Sequence, residues 1–195
     1  MVKKADINNH QMLDIIRSVV KDRNIPDDQQ HMVEKKTNGR LGSMSCQINT
    51  LKEEVLLCTF DERANNYKQF PYFQQVHGMV SMCDYILFVE DEKELVAFSI
   101  DLKDSTDGPK QQTLRTKTFA EFIVNRIKVV VGEDVFSKPV RYRQIGVKTT
   151  CHKMPTMGYA KLAYDKDDYL VLPDYRHFYT RLMMDTETSA HMAAG

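Results

Sequence analysis

The sequence predicts an α/β protein with a mixed β-sheet core flanked by helices, and three observations lead there. Two segments, Asn9 to Asp22 and Thr113 to Val131, repeat apolar residues at the three-to-four spacing of an amphipathic helix. Between them lie short apolar runs bounded by turn residues, the pattern of strands. Further strand-like runs follow the second helix, so strands stand on both sides of it in the chain.

The elements follow in order. Met12, Ile15, Ile16, Val19 and Val20 form one stripe on the first helix, and Asn24-Ile25-Pro26 ends it. Asp27-Asp28 then suits the cap of a short second helix over His31 to Lys36, with Glu34 on it. Asn38-Gly39 and Gly42 mark a turn before strands at Ser45 to Thr50 and Glu54 to Phe60. Residues 61–82 have little apolar order and read as a long loop, a kind of segment that is often functional in compact domains. The stretch CDYILFVEDEKELVAFSIDLKDS, Cys83 to Ser105, reads as a hairpin turning at Asp91-Glu92-Lys93. A polar loop leads to the long helix, whose stripe of Leu114, Phe119, Phe122, Ile123, Ile127, Val130 and Val131 ends at Gly132. Val140 to Thr150, Gly158 to Tyr164 and Tyr169 to Leu172 suit further strands, and Asp174 to Met184 a last helix.

At 195 residues, 42% of them hydrophobic, the chain is expected to be a single domain, with its core over about 30–130 and residues 135–185 extending it. It holds no apolar run of about eighteen residues, and its amino terminus lacks a signal-peptide core, which points to a cytoplasmic protein with no membrane partner. Cys46, Cys58, Cys83 and Cys151 are scattered without a CxxC pair, so buried thiols are expected rather than a disulfide framework or zinc site. Lys plus Arg and Asp plus Glu balance at 27 each. A neutral chain exerts no general attraction on phosphate, which argues against an independent, tight nucleic-acid binder but leaves room for a local groove or a targeting partner.

The chemistry gathers at the far end of the hairpin. With its turn at 91–93, Asp84 falls beside Ile100 and Asp101, and period two sends Ser99, Asp101 and Lys103 to one face while Phe98, Ile100 and Leu102 take the other. Two carboxylates so placed repel unless a cation or a shared proton lies between them. Hard oxygen ligands suit Mg2+ or Mn2+, and a metal so held with Lys103 nearby suits phosphodiester hydrolysis. The competing reading is of solvated strand-end charges forming an ordinary cross-strand pair.

At Asp84 and at Asp101-Leu102-Lys103, 17 residues on, followed by a polar loop and a helix, the chain resembles the PD-(D/E)xK nuclease superfamily. Cys83 stands where the name-giving motif has proline, and the second acid is Asp rather than the commoner Glu. The resemblance implies a restriction-endonuclease-like fold, with Asp84, Asp101 and the Leu102 carbonyl on the metal and Lys103 serving the attacking water. It further implies an upstream third acid, for which Glu34 is best placed, and a site-lining Gln112. Activity on nucleic acid, DNA before RNA, would follow, with a homodimer or a protein partner for targeting and a place in phage defence or repair. The alternative is a non-catalytic module of the same fold that docks a protein partner.

Arg141 and Arg143 alternate onto one face of a strand, a suitable place for phosphate contacts. His77 and the aromatic residues Tyr67, Phe70, Tyr72 and Phe73 lie in the long loop, where exposure and loop anchoring compete with roles at the site.

Overall fold

The computed structural model describes residues 11–35, 41–61, 79, 81–103, 110–148, 162–172 and 176–188. Its elements run α1 (Met12–Val19), β1 (His31–Lys35), β2 (Leu41–Asn49), β3 (Glu54–Cys58), β4 (Tyr85–Glu90), β5 (Leu95–Lys103), α2 (Lys110–Val131), β6 (Val140–Lys148), β7 (Tyr169–Leu172), β8 (His177–Tyr179) and α3 (Thr180–Asp185). Five strands form a central mixed sheet in the order β3-β4-β5-β6-β7, and β1-β2-β8 form a second mixed sheet. β3, β4 and β5 are antiparallel neighbours, while β5, β6 and β7 are parallel. Parallel neighbours need a long crossover, and α2 supplies the one between β5 and β6.

The hairpin is buried on both faces because each strand alternates between two cores. Ile86, Phe88, Leu95 and Ala97 face the helices, packing with Ile15 and Ile16 of α1 and with Ala120, Val124 and Ile127 of α2. Leu87, Val89, Val96, Phe98 and Ile100 face the smaller sheet, packing with Met32, Met44, Cys46 and Phe178. Phe98 and Phe178 meet edge to face at 5.4 Å between ring centroids and join the two sheets. α2 ends at Gly132, whose φ of 144° suits a residue without Cβ and whose N–H caps the Lys128 carbonyl.

Four expectations are corrected. His31 to Lys36 is no helix: residues 31–35 are strand β1, antiparallel to β2. Asp28 does bond the N–H groups of Gln30 and His31, but these bonds close a turn into a strand, of whose residues Met32 is fully buried. The last helix is shorter than 174–184, since His177–Tyr179 first pair in parallel with Gln47–Asn49 of β2. The buried stripe of α2 is Thr113, Thr116, Ala120, Val124 and Ile127, whereas Phe122 is 60% exposed and Leu114 and Val130 also face solvent. Tyr164 forms only an isolated bridge to Thr188; 158–161, ahead of it, lie outside the described residues. Cys46, Cys58 and Cys83 are buried as expected, and Cys151 lies outside the described residues.

Candidate active site

Pairing Tyr85 with Ile100 fixes the hairpin register, and one further step sets Asp84 opposite Asp101 on the face toward α2. Asp101 is 1% exposed and Asp84 6%. β4 begins only at Tyr85, so the backbone ladder runs out at this end and the side chain of Asp84 replaces it: its Oδ2 accepts the Leu102 N–H at 2.8 Å. Leu102 turns its side chain into the opposite core, as period two requires. Lys103 continues β5, in register with Lys148 of β6, on the backbone face of Asp101. The Lys103 side chain lies outside the described residues.

The amino-terminal half of α2 roofs this sheet end with polar contacts, which explains its buried threonines. The Cys83 N–H donates to Thr116 Oγ1 at 2.7 Å, and Gln112 Nε2 donates to the Met82 carbonyl. Gln112 therefore stands beside the acid pair, where it holds the chain leading into Asp84. Thr113 Oγ1 donates to Gln144 Oε1 at 3.1 Å, and Gln144 Nε2 donates to the Asp167 carbonyl. Lys110, in the first turn of α2, pairs with Asp165 and Asp167 at 2.6 and 2.7 Å. Burial works to raise the Asp165 carboxyl, but the Lys110 ammonium and the N–H groups of Tyr169 and Asp167 outweigh it and hold the carboxyl below its ordinary range.

No family model, curated protein or solved structure matches the chain. The assignment of the site therefore stands on its geometry and chemistry.

Not every predicted residue joins the pair. Glu34 lies on β1, where Val33 bonds the Tyr85 hydroxyl through both its N–H and its carbonyl. Its Oε2 is buried with no hydrogen-bond partner among the described residues. No three His, Cys, Asp or Glu residues among those described are grouped closely enough to share a metal ion, so in this structure Glu34 is not grouped with the pair. Arg141 and Arg143 lie on the face of β6 opposite the acid pair, and their guanidinium groups are engaged within the protein. Arg143, 4% exposed, lies 4.0 Å over the Tyr164 ring and donates to Asp168 Oδ1 and Thr188 Oγ1 at 3.1 and 3.0 Å. Arg141 bonds Glu94 and the Met184 carbonyl. Both arginines fasten the carboxy-terminal segment to the sheet. His77, Tyr67, Phe70, Tyr72 and Phe73 lie outside the described residues.

The donor set fits a hard divalent cation. Two buried carboxylates on one face are hard anionic oxygen donors of the kind a divalent cation takes.

A surface cleft of about 460 Å3 lies at the other end of the hairpin. Four of its charges are engaged with one another: Lys138 pairs with Glu90 at 2.8 Å and Arg181 with Asp91 at 2.9 Å. Glu53 accepts the Leu51 N–H and the Thr180 hydroxyl. These contacts dock α3 against the turn and leave the acid pair as the better seat for chemistry.

Sequence reasoning missed Thr113, Thr116, Gln144 and Tyr169. The two threonines carried a signal, three residues apart on a helix otherwise rich in apolar candidates, and so did Gln144 inside the strand run RYRQIGV.

Proposed function

We propose that the chain is a Mg2+- or Mn2+-dependent nuclease with a restriction-endonuclease-like core, acting on nucleic acid and on DNA in the first instance. The observation that carries this reading is the meeting of Asp84 and Asp101 on one face at the sheet end, beneath α2, with Lys103 two residues on in the same backbone register. The reading is supported by the succession β3, β4, β5, α2 and β6 around the pair, the strands, hairpin and following helix on which the superfamily resemblance rests.

In this reading Asp84, Asp101 and the Leu102 carbonyl hold the metal. Bound there, it supplies Lewis acidity toward a phosphodiester and a more acidic water. Asp84 has a second task, because its bond to the Leu102 N–H fixes the strand end that carries Asp101. Lys103 orients the attacking water and meets the charge that develops on the phosphate. Gln112 sets the approach to Asp84 through the Met82 carbonyl.

The test is a thermal melt in EDTA and then in manganese on wild type and Asp101→Ala, followed by cleavage assays on DNA and RNA. Manganese at about a hundred times its Kd stabilises a bound protein by ~2.7 kcal/mol. The rise should be present in wild type and absent in Asp101→Ala, and Lys103→Ala should abolish cutting while keeping the rise. A wild type that gains nothing from either metal would refute the metal reading.

The burial of the pair and the internal position of both arginines favour one second reading, a non-catalytic module that docks a protein partner. Such a module would melt identically with and without metal.

A further inference from the structure

We infer that the Tyr169 hydroxyl is a substrate-binding group of the same site, a neutral donor to a phosphate oxygen of a nucleotide held at the acid pair; the inference rests on the nuclease reading. Pairing puts Ser99, Gln144 and Tyr169 in one row across β5, β6 and β7, on the face that looks toward α2. The next row toward the carboxy-terminal strand ends is Asp101, Gly146 and Val171. Gly146 carries no side chain, so β6 raises no wall between Asp101 and the ring of Tyr169.

Tyr169 is 9% exposed, and its hydroxyl is buried with no hydrogen-bond partner among the described residues. A buried hydroxyl left without a bond is destabilising, so a persistent one calls for a ligand or a functional reason. Gln144, its neighbour in the row, is already committed to Thr113 and the Asp167 carbonyl. The position of Tyr169 is set firmly. Its N–H donates to Asp165 Oδ1 at 3.0 Å, the turn before it places Asp168 at φ 59°, and the Lys110 ammonium stands 5.6 Å from its ring centroid.

Burial, with the Asp101 carboxylate in electrostatic reach, pushes the hydroxyl up to about 12, so it keeps its proton at neutral pH. A neutral donor suits this place. A lysine there would neutralise Asp101 and compete with a cation, whereas a hydroxyl can bond a phosphate oxygen without weakening the acid pair. No proton leaves Tyr169 in this role.

The test compares wild type with Tyr169→Phe by thermal melts and calorimetric titration, using manganese alone and then manganese with thymidine 3′,5′-bisphosphate. Tyr169→Phe should melt no lower than wild type in EDTA and keep the whole manganese-dependent rise. It should bind the bisphosphate about tenfold more weakly, the loss of one charge-assisted hydrogen bond. Unchanged bisphosphate affinity with the manganese rise intact would overturn this inference alone. A lower melting temperature in EDTA would also overturn it, by showing that the hydroxyl has a structural partner. A wild type without a manganese response would instead overturn the nuclease reading, and this inference with it.

Discussion

Asp84 carries two roles that two substitutions can separate. Its carboxylate accepts the buried Leu102 N–H at 2.8 Å and, as proposed, binds metal through its charge. Asp84→Ala removes both and leaves that N–H without its acceptor at a strand end where no backbone partner stands in. Orphaning a buried donor costs ~1–3 kcal/mol. For a chain of this size each kcal/mol moves Tm by roughly 2–4 °C, so about 2 kcal/mol lowers it by roughly 4–8 °C in EDTA. Asp84→Asn keeps an acceptor oxygen for the N–H but removes a negative charge beside Asp101, so its Tm in EDTA should equal or exceed that of wild type. Both variants should lose the manganese-dependent rise and the cleavage activity. The assay is differential scanning calorimetry of the three proteins in EDTA and in manganese. Equal melting of Asp84→Ala and wild type in EDTA would refute the strand-end capping. A full manganese rise in Asp84→Asn would remove Asp84 from the ligand set.

Arg143→Met should destabilise by about 3 kcal/mol, or roughly 6–12 °C in Tm, because it removes buried charge-assisted hydrogen bonds and the contact with the Tyr164 ring. Near-native melting with weakened DNA binding would restore the phosphate-contact role. Acid should unfold the protein through its depressed carboxyls. In Glu53, Asp91 and Asp165 burial opposes ionisation, but hydrogen bonds, joined by the Arg181 guanidinium at Asp91 and the Lys110 ammonium at Asp165, outweigh it, so each carboxyl sits below its ordinary value. The unfolded chain therefore binds protons first, and stability present above the ordinary carboxylate range is lost as pH falls through it and below. Urea midpoints measured from pH 6 to pH 3 should fall across that window, and Asp165→Asn should flatten the slope. Glu34→Gln should keep the manganese-dependent rise, since Glu34 is not grouped with the acid pair; a lost rise would return it to the ligand set.

The hairpin and its acid pair were legible because everything that places them is local. Apolar alternation fixes the two strands, and Asp91 closes the turn by accepting the N–H groups of Lys93 and Glu94. The resulting register brings Asp84 and Asp101 together with no information from elsewhere in the chain. α1 and the end of α2 at Gly132 follow equally from local spacing and backbone preference. What the tertiary structure decided lies where the deciding partner is far along the chain. His31 to Lys35 became a strand because β2 offers it a backbone ladder, and His177 to Tyr179 did so because Gln47 to Asn49 had an open edge. The inward aim of Arg143 depends on Asp168 and Thr188, and the buried threonines of α2 depend on Cys83 and Gln144. Periodicity shows that a segment has two faces; which face is buried, and whether a polar group there finds a partner, is fixed only when distant segments pack and every buried donor must be satisfied.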